Sequence, residues 1–264
     1  MKRKKLDTKN PLVLGVKMSP FSSYREAIGL IHASLMKKTG GFICVAAAHL
    51  MVECSRDKAL RLGVNNALAV TADGMPNVIL LRLLGFKRSV RIYGPTLMRH
   101  CLLYAEKNSI PIFLFGGKSG IARKLSAEIK KTHKTMIIAD CIDAPRRPVS
   151  SVLFEKVISR IRKSKAKIVF VGLGCPWQEQ FMIRAYKKTN TLYVGVGGAF
   201  DFLSGSVRQA PIFVQNSGFE WLFRLFQEPK RLAYRYTTVN VIFVYLVLKF
   251  LFARFIRLRK LQLI

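Results

Sequence analysis

Seven short apolar runs alternate with stretches of helical periodicity, and this alternation dominates what the chain can fold into. The runs fall at 42–48, 68–71, 90–93, 110–115, 136–139, 167–171 and 191–196. They are rich in β-branched and aromatic residues, as strands buried on both faces are. The helical stretches fall at 24–37, 49–62, 76–84, 96–107, 120–131, 151–164 and 178–188. Such an order predicts an α/β domain, a mostly parallel sheet with helices on both faces.

Sheets of this kind hold ligands at the carboxyl ends of their strands. The loops expected there are Ala72-Asp73-Gly74, Phe115-Gly116-Gly117, Gly172-Leu173-Gly174-Cys175-Pro176 and Val196-Gly197-Gly198-Ala199-Phe200-Asp201. Glycine lets the backbone approach a ligand closely. No GxGxxG follows the first strand and no GxxxxGK[ST] occurs, which disfavours a Rossmann dehydrogenase or a P-loop NTPase.

The 264 residues carry a net charge of +31, which points to phosphorylated substrates, anionic membrane or nucleic acid. A nucleic-acid binder should show stacking platforms or a recognition helix, and neither is read here, so nucleic acid is not expected as a partner. Five scattered cysteines without CxxC or Cys/His spacing argue against a disulfide framework or structural zinc. The basic start leads into Asp7-Thr8-Lys9-Asn10-Pro11 with no apolar core, so no secretory signal is read and reducing cytosol is the expected surrounding.

The texture changes after about residue 208. Residues 1–208 are read as the α/β domain and 209–264 as a C-terminal appendage. The apolar run at 241–248 is far shorter than the ~20 residues of a spanning helix. A helix lying in the membrane interface is expected instead. Phe243, Val247, Phe250, Leu251, Phe255 and Leu258 would face lipid, and Lys249, Arg254, Arg257, Arg259 and Lys260 would reach headgroups.

Five pieces occur in a telling order: Thr71-Ala-Asp73-Gly-Met75, Gly172-x-Gly174-x-Pro176-x-Gln178-Glu179, Gly195-Val-Gly-Gly-Ala-Phe-Asp201-Phe-Leu-Ser-Gly205, Gly218-x-Glu-Trp221-Leu-x-Arg224-Leu and Glu228-Pro229-x-Arg231. Together they resemble the WecG/TagA/CpsF glycosyltransferases of bacterial cell-surface polymer synthesis, from about residue 12 to about 236. The resemblance implies a Rossmann-like fold with a helical C-terminal segment closing over the site. It implies inverting transfer of a sugar, usually from a UDP-sugar, to a saccharide on a polyprenyl diphosphate, without a metal or other cofactor. The place of work would be the cytoplasmic face of the bacterial inner membrane, peripherally bound, with a homo-oligomer possible.

The family's catalytic base falls on Asp73; its bland reading is a helix cap. Arg91 matches an arginine kept near that base, where a guanidinium suits phosphate. The family's nucleotide-binding glutamine falls on Gln178, and otherwise this is a first-turn residue. Gly116, Gly117, Gly174, Gly197 and Gly198 are expected to border the nucleotide, or else to make turns. Arg224, Arg231 and Arg235 match arginines that hold the diphosphate. One stretch departs from the family: Val45-Ala46-Ala47-Ala48 stands where Thr-x-Asn-Ala is usual. That departure opens a second reading, a catalytically lapsed binder of nucleotide-sugar or lipid-linked saccharide.

Overall fold

The computed structural model describes residues 10–144, 148–211, 213–214, 220–227 and 229–262, with backbone alone at 220, 224, 230–236 and 257–262. An antiparallel hairpin of β1 (Leu12–Val13) and β2 (Val16–Lys17) precedes α1 (Tyr24–Met36). There follow β3 (Gly41–Ala46), α2 (Ala48–Arg56), α3 (Lys58–Val64), β4 (Ala69–Ala72), α4 (Met75–Leu83) and α5 (Gly94–Lys107). Next come β5 (Ile112–Gly116), α6 (Ile121–Thr132), β6 (Ile138–Ile142), α7 (Ser151–Ser164), β7 (Ile168–Gly172), α8 (Trp177–Ala185), β8 (Leu192–Gly195) and α9 (Ala199–Leu203). A short helix, Glu220–Gln227, and a long terminal helix, Pro229–Gln262, complete the appendage.

Six strands form one parallel sheet in the order β4-β3-β8-β7-β5-β6. The Rossmann-like expectation therefore holds. Strand periodicity divides the apolar side chains between two cores. Phe42, Cys44 and Ala46, with Phe113, Phe115, Val169 and Val171, pack against α2, α3, α4, α7 and α8. Ile43, Ile112, Leu114, Ile168 and Phe170 pack against α1, α5, α6 and α9 on the opposite face. Continuous apolar runs give this result because alternate residues serve different layers.

Three elements depart from the sequence reading. Residues 90–93 are not a strand of the sheet. They cross the end of β4 as extended chain, with Val90 N–H donating to Phe21 C=O and Ile92 N–H to Ala72 C=O, each at 2.9 Å. The single helix read at 49–62 is two, because Asp57 takes an extended conformation and its carboxylate caps α3 by accepting from Leu60 N–H at 2.9 Å.

The third departure is the tail. The terminal helix is continuous, and its part Thr237–Ile256 is long and apolar enough to cross a bilayer by length and composition, reaching a mean hydropathy of 2.1. It also packs along α2. Val239 and Phe243 are buried in the same core as the sheet, with Ile242, Leu246, Val247 and Leu251 against it. Of the residues expected toward lipid, Phe243, Val247 and Leu251 thus lie against the domain, Phe255 is exposed as expected, and the side chain of Leu258 lies outside the described residues. Val241, Val244, Tyr245, Leu248, Phe252, Phe255 and Ile256 are the exposed ones. A helix apolar on all sides carries no periodic signal to say which face docks.

Candidate active site

The chain leaves β8 toward one face of the sheet, through α9, while its neighbours β3 and β7 leave toward the other, through α2 and α8. This divergence opens a crevice at the carboxyl edge beside β8. The loops after β4, β3, β8 and β7 stand in a row along it.

Asp73 follows the last residue of β4. Its N–H donates to Ala46 C=O at the end of β3, at 2.9 Å, so the loop is tied to the neighbouring strand. Asn77 in the first turn of α4 donates to the same carbonyl through its side-chain amide at 2.8 Å. Gly74 makes the turn with φ +93, a conformation only glycine takes at low cost. Arg91, carried by the extended chain beside β4, donates through Nε to Asp73 Oδ1 at 3.1 Å. Its guanidinium stacks over the Tyr93 ring at 4.3 Å. Both members of the pair are partly exposed, so the carboxylate is fixed in place and still reachable.

Tyr24 was not found from sequence. Its hydroxyl accepts Tyr93 N–H at 3.0 Å, and Asp73 and Arg91 both lie within its electrostatic reach. Burial raises its pKa, so the phenol stays protonated near neutral pH. Its position at the start of α1, far from Asp73 in the chain, gave no local signal.

The glycines divide into two kinds. Gly116 and Gly117 serve packing. A Cβ on Gly116 would meet Gly172 backbone carbon at 2.5 Å, and one on Gly117 would meet Ile121 at 2.6 Å. The N-terminus of α6 beyond them already holds a carboxylate, because Asp143 accepts Gly120 N–H at 2.9 Å and Ala122 N–H at 2.8 Å. Gly174 makes a left-handed turn after β7 and its carbonyl accepts Gln178 N–H. Gly197, with φ +51, and Gly198, the cap of α9, form the loop beside β8.

Gln178 is 3% exposed. Its Nε2 donates to Glu179 Oε1 at 2.7 Å, and its Oε1 accepts Gly197 N–H at 3.0 Å. Both ends of this amide are thus engaged by the protein. Glu179 is fully buried, and burial pushes its carboxyl up to about 7 against the hydrogen bonds of Gln178 and Cys175, which lower it. The first-turn reading of the Gln-Glu pair missed this, since burial of two polar side chains on one turn leaves no pattern in the sequence.

Where the appendage meets the domain there is a cavity of about 430 Å3 lined by Ser206, Val207, Arg208, Phe223 and Gln227. Gln227 Nε2 donates to Arg208 C=O across it at 3.2 Å. The side chains of Arg224, Arg231 and Arg235 lie outside the described residues. Among the described residues, no group of three or more His, Cys, Asp or Glu is placed to hold a metal ion. All five cysteines are free, and burial raises the Cys44 thiol, and that of Cys54 to about 12, which makes them poor nucleophiles.

The family model of the WecG/TagA/CpsF glycosyl transferases matches residues 12–256. The chain belongs to this family. It is therefore a glycosyltransferase of cell-surface polysaccharide synthesis. In this glycosyltransferase, the site of the Thr-x-Asn departure is the crevice itself: Val45 packs near Gly94 at the start of α5, and Ala47 caps α2 with no side-chain hydrogen bond. The match continues into the terminal helix, as far as residue 256.

Proposed function

We propose that the chain is an inverting transferase, moving a sugar from a UDP-sugar to a saccharide carried on a polyprenyl diphosphate. The observation that carries this reading is the Asp73–Arg91 pair at the crevice. Inverting transfer needs one carboxylate to take the acceptor hydroxyl's proton as that oxygen attacks the anomeric carbon, and the UDP leaves from the opposite face. Asp73 is reachable, is held by Arg91 and by the Ala46 carbonyl, and lies in the same row of strand-end loops as the glycine loop after β8. Gly174 and the 197–198 loop border the nucleotide, with Gln178 supporting that loop from beneath. Charge on the departing diphosphate falls to arginines: Arg91 in the domain and Arg224, Arg231 and Arg235 from the appendage. No metal enters this reading.

The same proposal places the enzyme peripherally on the cytoplasmic face of a bacterial inner membrane. Its terminal helix docks by one face on α2 and presents the other, Val241, Val244, Leu248 and Phe252, to lipid. A docked helix lies along the domain, and lipid contact through one face suits an interfacial pose. Lys249 and Arg254 flank that face, and each cation near an anionic leaflet adds about 1 kcal/mol.

A second reading rests on Val45 and Ala47. Loss of a hydroxyl and an amide at the crevice favours a protein that binds nucleotide-sugar without turnover. The test is a panel of UDP-sugars with a soluble short-chain lipid-diphosphate saccharide, followed by NMR of the product. The transferase reading expects a glycoside whose anomeric configuration is inverted relative to the donor. A retained configuration contradicts the single-base mechanism, and donor binding without product supports the lapsed binder.

A further inference from the structure

Glu179 is an ionisable group with no exposed surface; the Cys175 thiol lies within hydrogen-bonding reach of its carboxyl, and among the described residues no hydrogen bond reaches its Oε2. Stability alone favours an apolar side chain at such a place, since an unpaired buried polar atom is costly. What the carboxyl provides is direction. Its Oε1 accepts from Gln178 Nε2 at 2.7 Å, and this leaves Gln178 Oε1 to accept Gly197 N–H at 3.0 Å. An ionised carboxylate accepts only, so the Gln178 amide cannot reverse its ends while facing it. The surrounding backbone is shaped to this amide. A Cβ on Gly195 would meet Gln178 Nε2 at 3.2 Å and Met182 Cε at 2.7 Å.

We infer that Glu179 is a positioning residue: by orienting the Gln178 amide it holds Gly197 N–H and so sets the loop at 196–198 that borders the nucleotide. This deepens the transferase reading and rests on it for what the loop does. Among the described residues, the titratable groups that face Glu179 are thiols: Cys175 in the loop before α8, Cys44 on β3 and Cys54 on α2. A change in Glu179 protonation near neutral pH therefore reaches Gly197 through one amide.

The test is an NMR titration of the full-length protein, following the Gly197 backbone amide and the Gln178 side-chain amide from pH 5 to pH 9. The expected result is one shared transition near pH 7 in the wild type and none in Glu179→Gln, which keeps an acceptor and loses the proton. A flat Gly197 signal in the wild type, or a transition that survives in Glu179→Gln, overturns the inference. A second arm measures UDP affinity and turnover. Glu179→Leu should weaken UDP binding about tenfold, the loss of roughly one charge-assisted hydrogen bond, and Glu179→Gln should restore most of it. Normal UDP affinity in a folded Glu179→Leu also overturns the inference. An intact titration in a protein that turns over no donor leaves the inference standing and counts against the transferase reading, whereas turnover without the titration does the reverse.

Discussion

A backbone bond to Ala46 and an ion pair to Arg91, contacts of different kinds, hold Asp73. Asp73→Asn keeps the shape and both contacts' geometry but removes the base. It should leave UDP binding intact and lower turnover by about 10²–10⁴, which steady-state kinetics beside calorimetry would show. Near-normal turnover would remove Asp73 from the chemistry. Glu179 makes a different prediction, about stability. Its carboxyl stands at about 7 in the folded chain against an ordinary 4.5, so the folded state holds the proton more tightly. The stability this gives is complete below 4.5 and is lost as pH rises through 7. The loss by pH 8 is roughly 3 kcal/mol. Denaturant midpoints should fall from pH 5 to pH 8 in the wild type, and this part of the fall should vanish in Glu179→Gln. The pairing of Asp73 with Arg91 was legible only through the family resemblance, which places that arginine near the base, and the structure joins the two at 3.1 Å. The engagement of Gln178 and the reach of Tyr24 were not legible, since both depend on which residues of distant elements meet.

At the scale of elements, the strands at 42–48, 110–115, 167–171 and 191–196 were readable as doubly buried because each is apolar without alternation. The run at 90–93 has the same composition and is no strand. One bond to Ala72 at the end of β4 and one to Phe21 hold it in place, and composition does not distinguish an extended crossing from a ladder. Gly116 shows how closely β5 and β7 approach. Gly116→Ala should destabilise by more than the ~1–3 kcal/mol of positive-φ strain, because its Cβ has no room beside Gly172, and thermal unfolding would measure it. The two faces of the terminal helix give a paired prediction. Phe243→Ala should cost about 3 kcal/mol, in the usual range for a buried aromatic. Val241→Ser, Leu248→Ser and Phe252→Ser should each stay within about 0.5 kcal/mol and together lower binding to vesicles. The opposite pattern would mean that the exposed stripe is the docked one.

The whole molecule combines a crevice suited to a nucleotide-sugar, a charge of +31 and a helix with one face on the domain and one free. In the proposed function, phosphorylated donor, diphosphate-linked acceptor and anionic membrane would all draw on that charge. Binding to anionic vesicles should therefore fall steeply with salt, as flotation assays would show. In the proposed mechanism, sugar transfer at this crevice depends on Asp73. This dependence is tested most directly by acceptor-dependent UDP release from a panel of UDP-sugars, wild type beside Asp73→Asn. Release should require the lipid-diphosphate saccharide and nearly disappear in the variant. Release that ignores the acceptor, or that persists in Asp73→Asn, would contradict the mechanism.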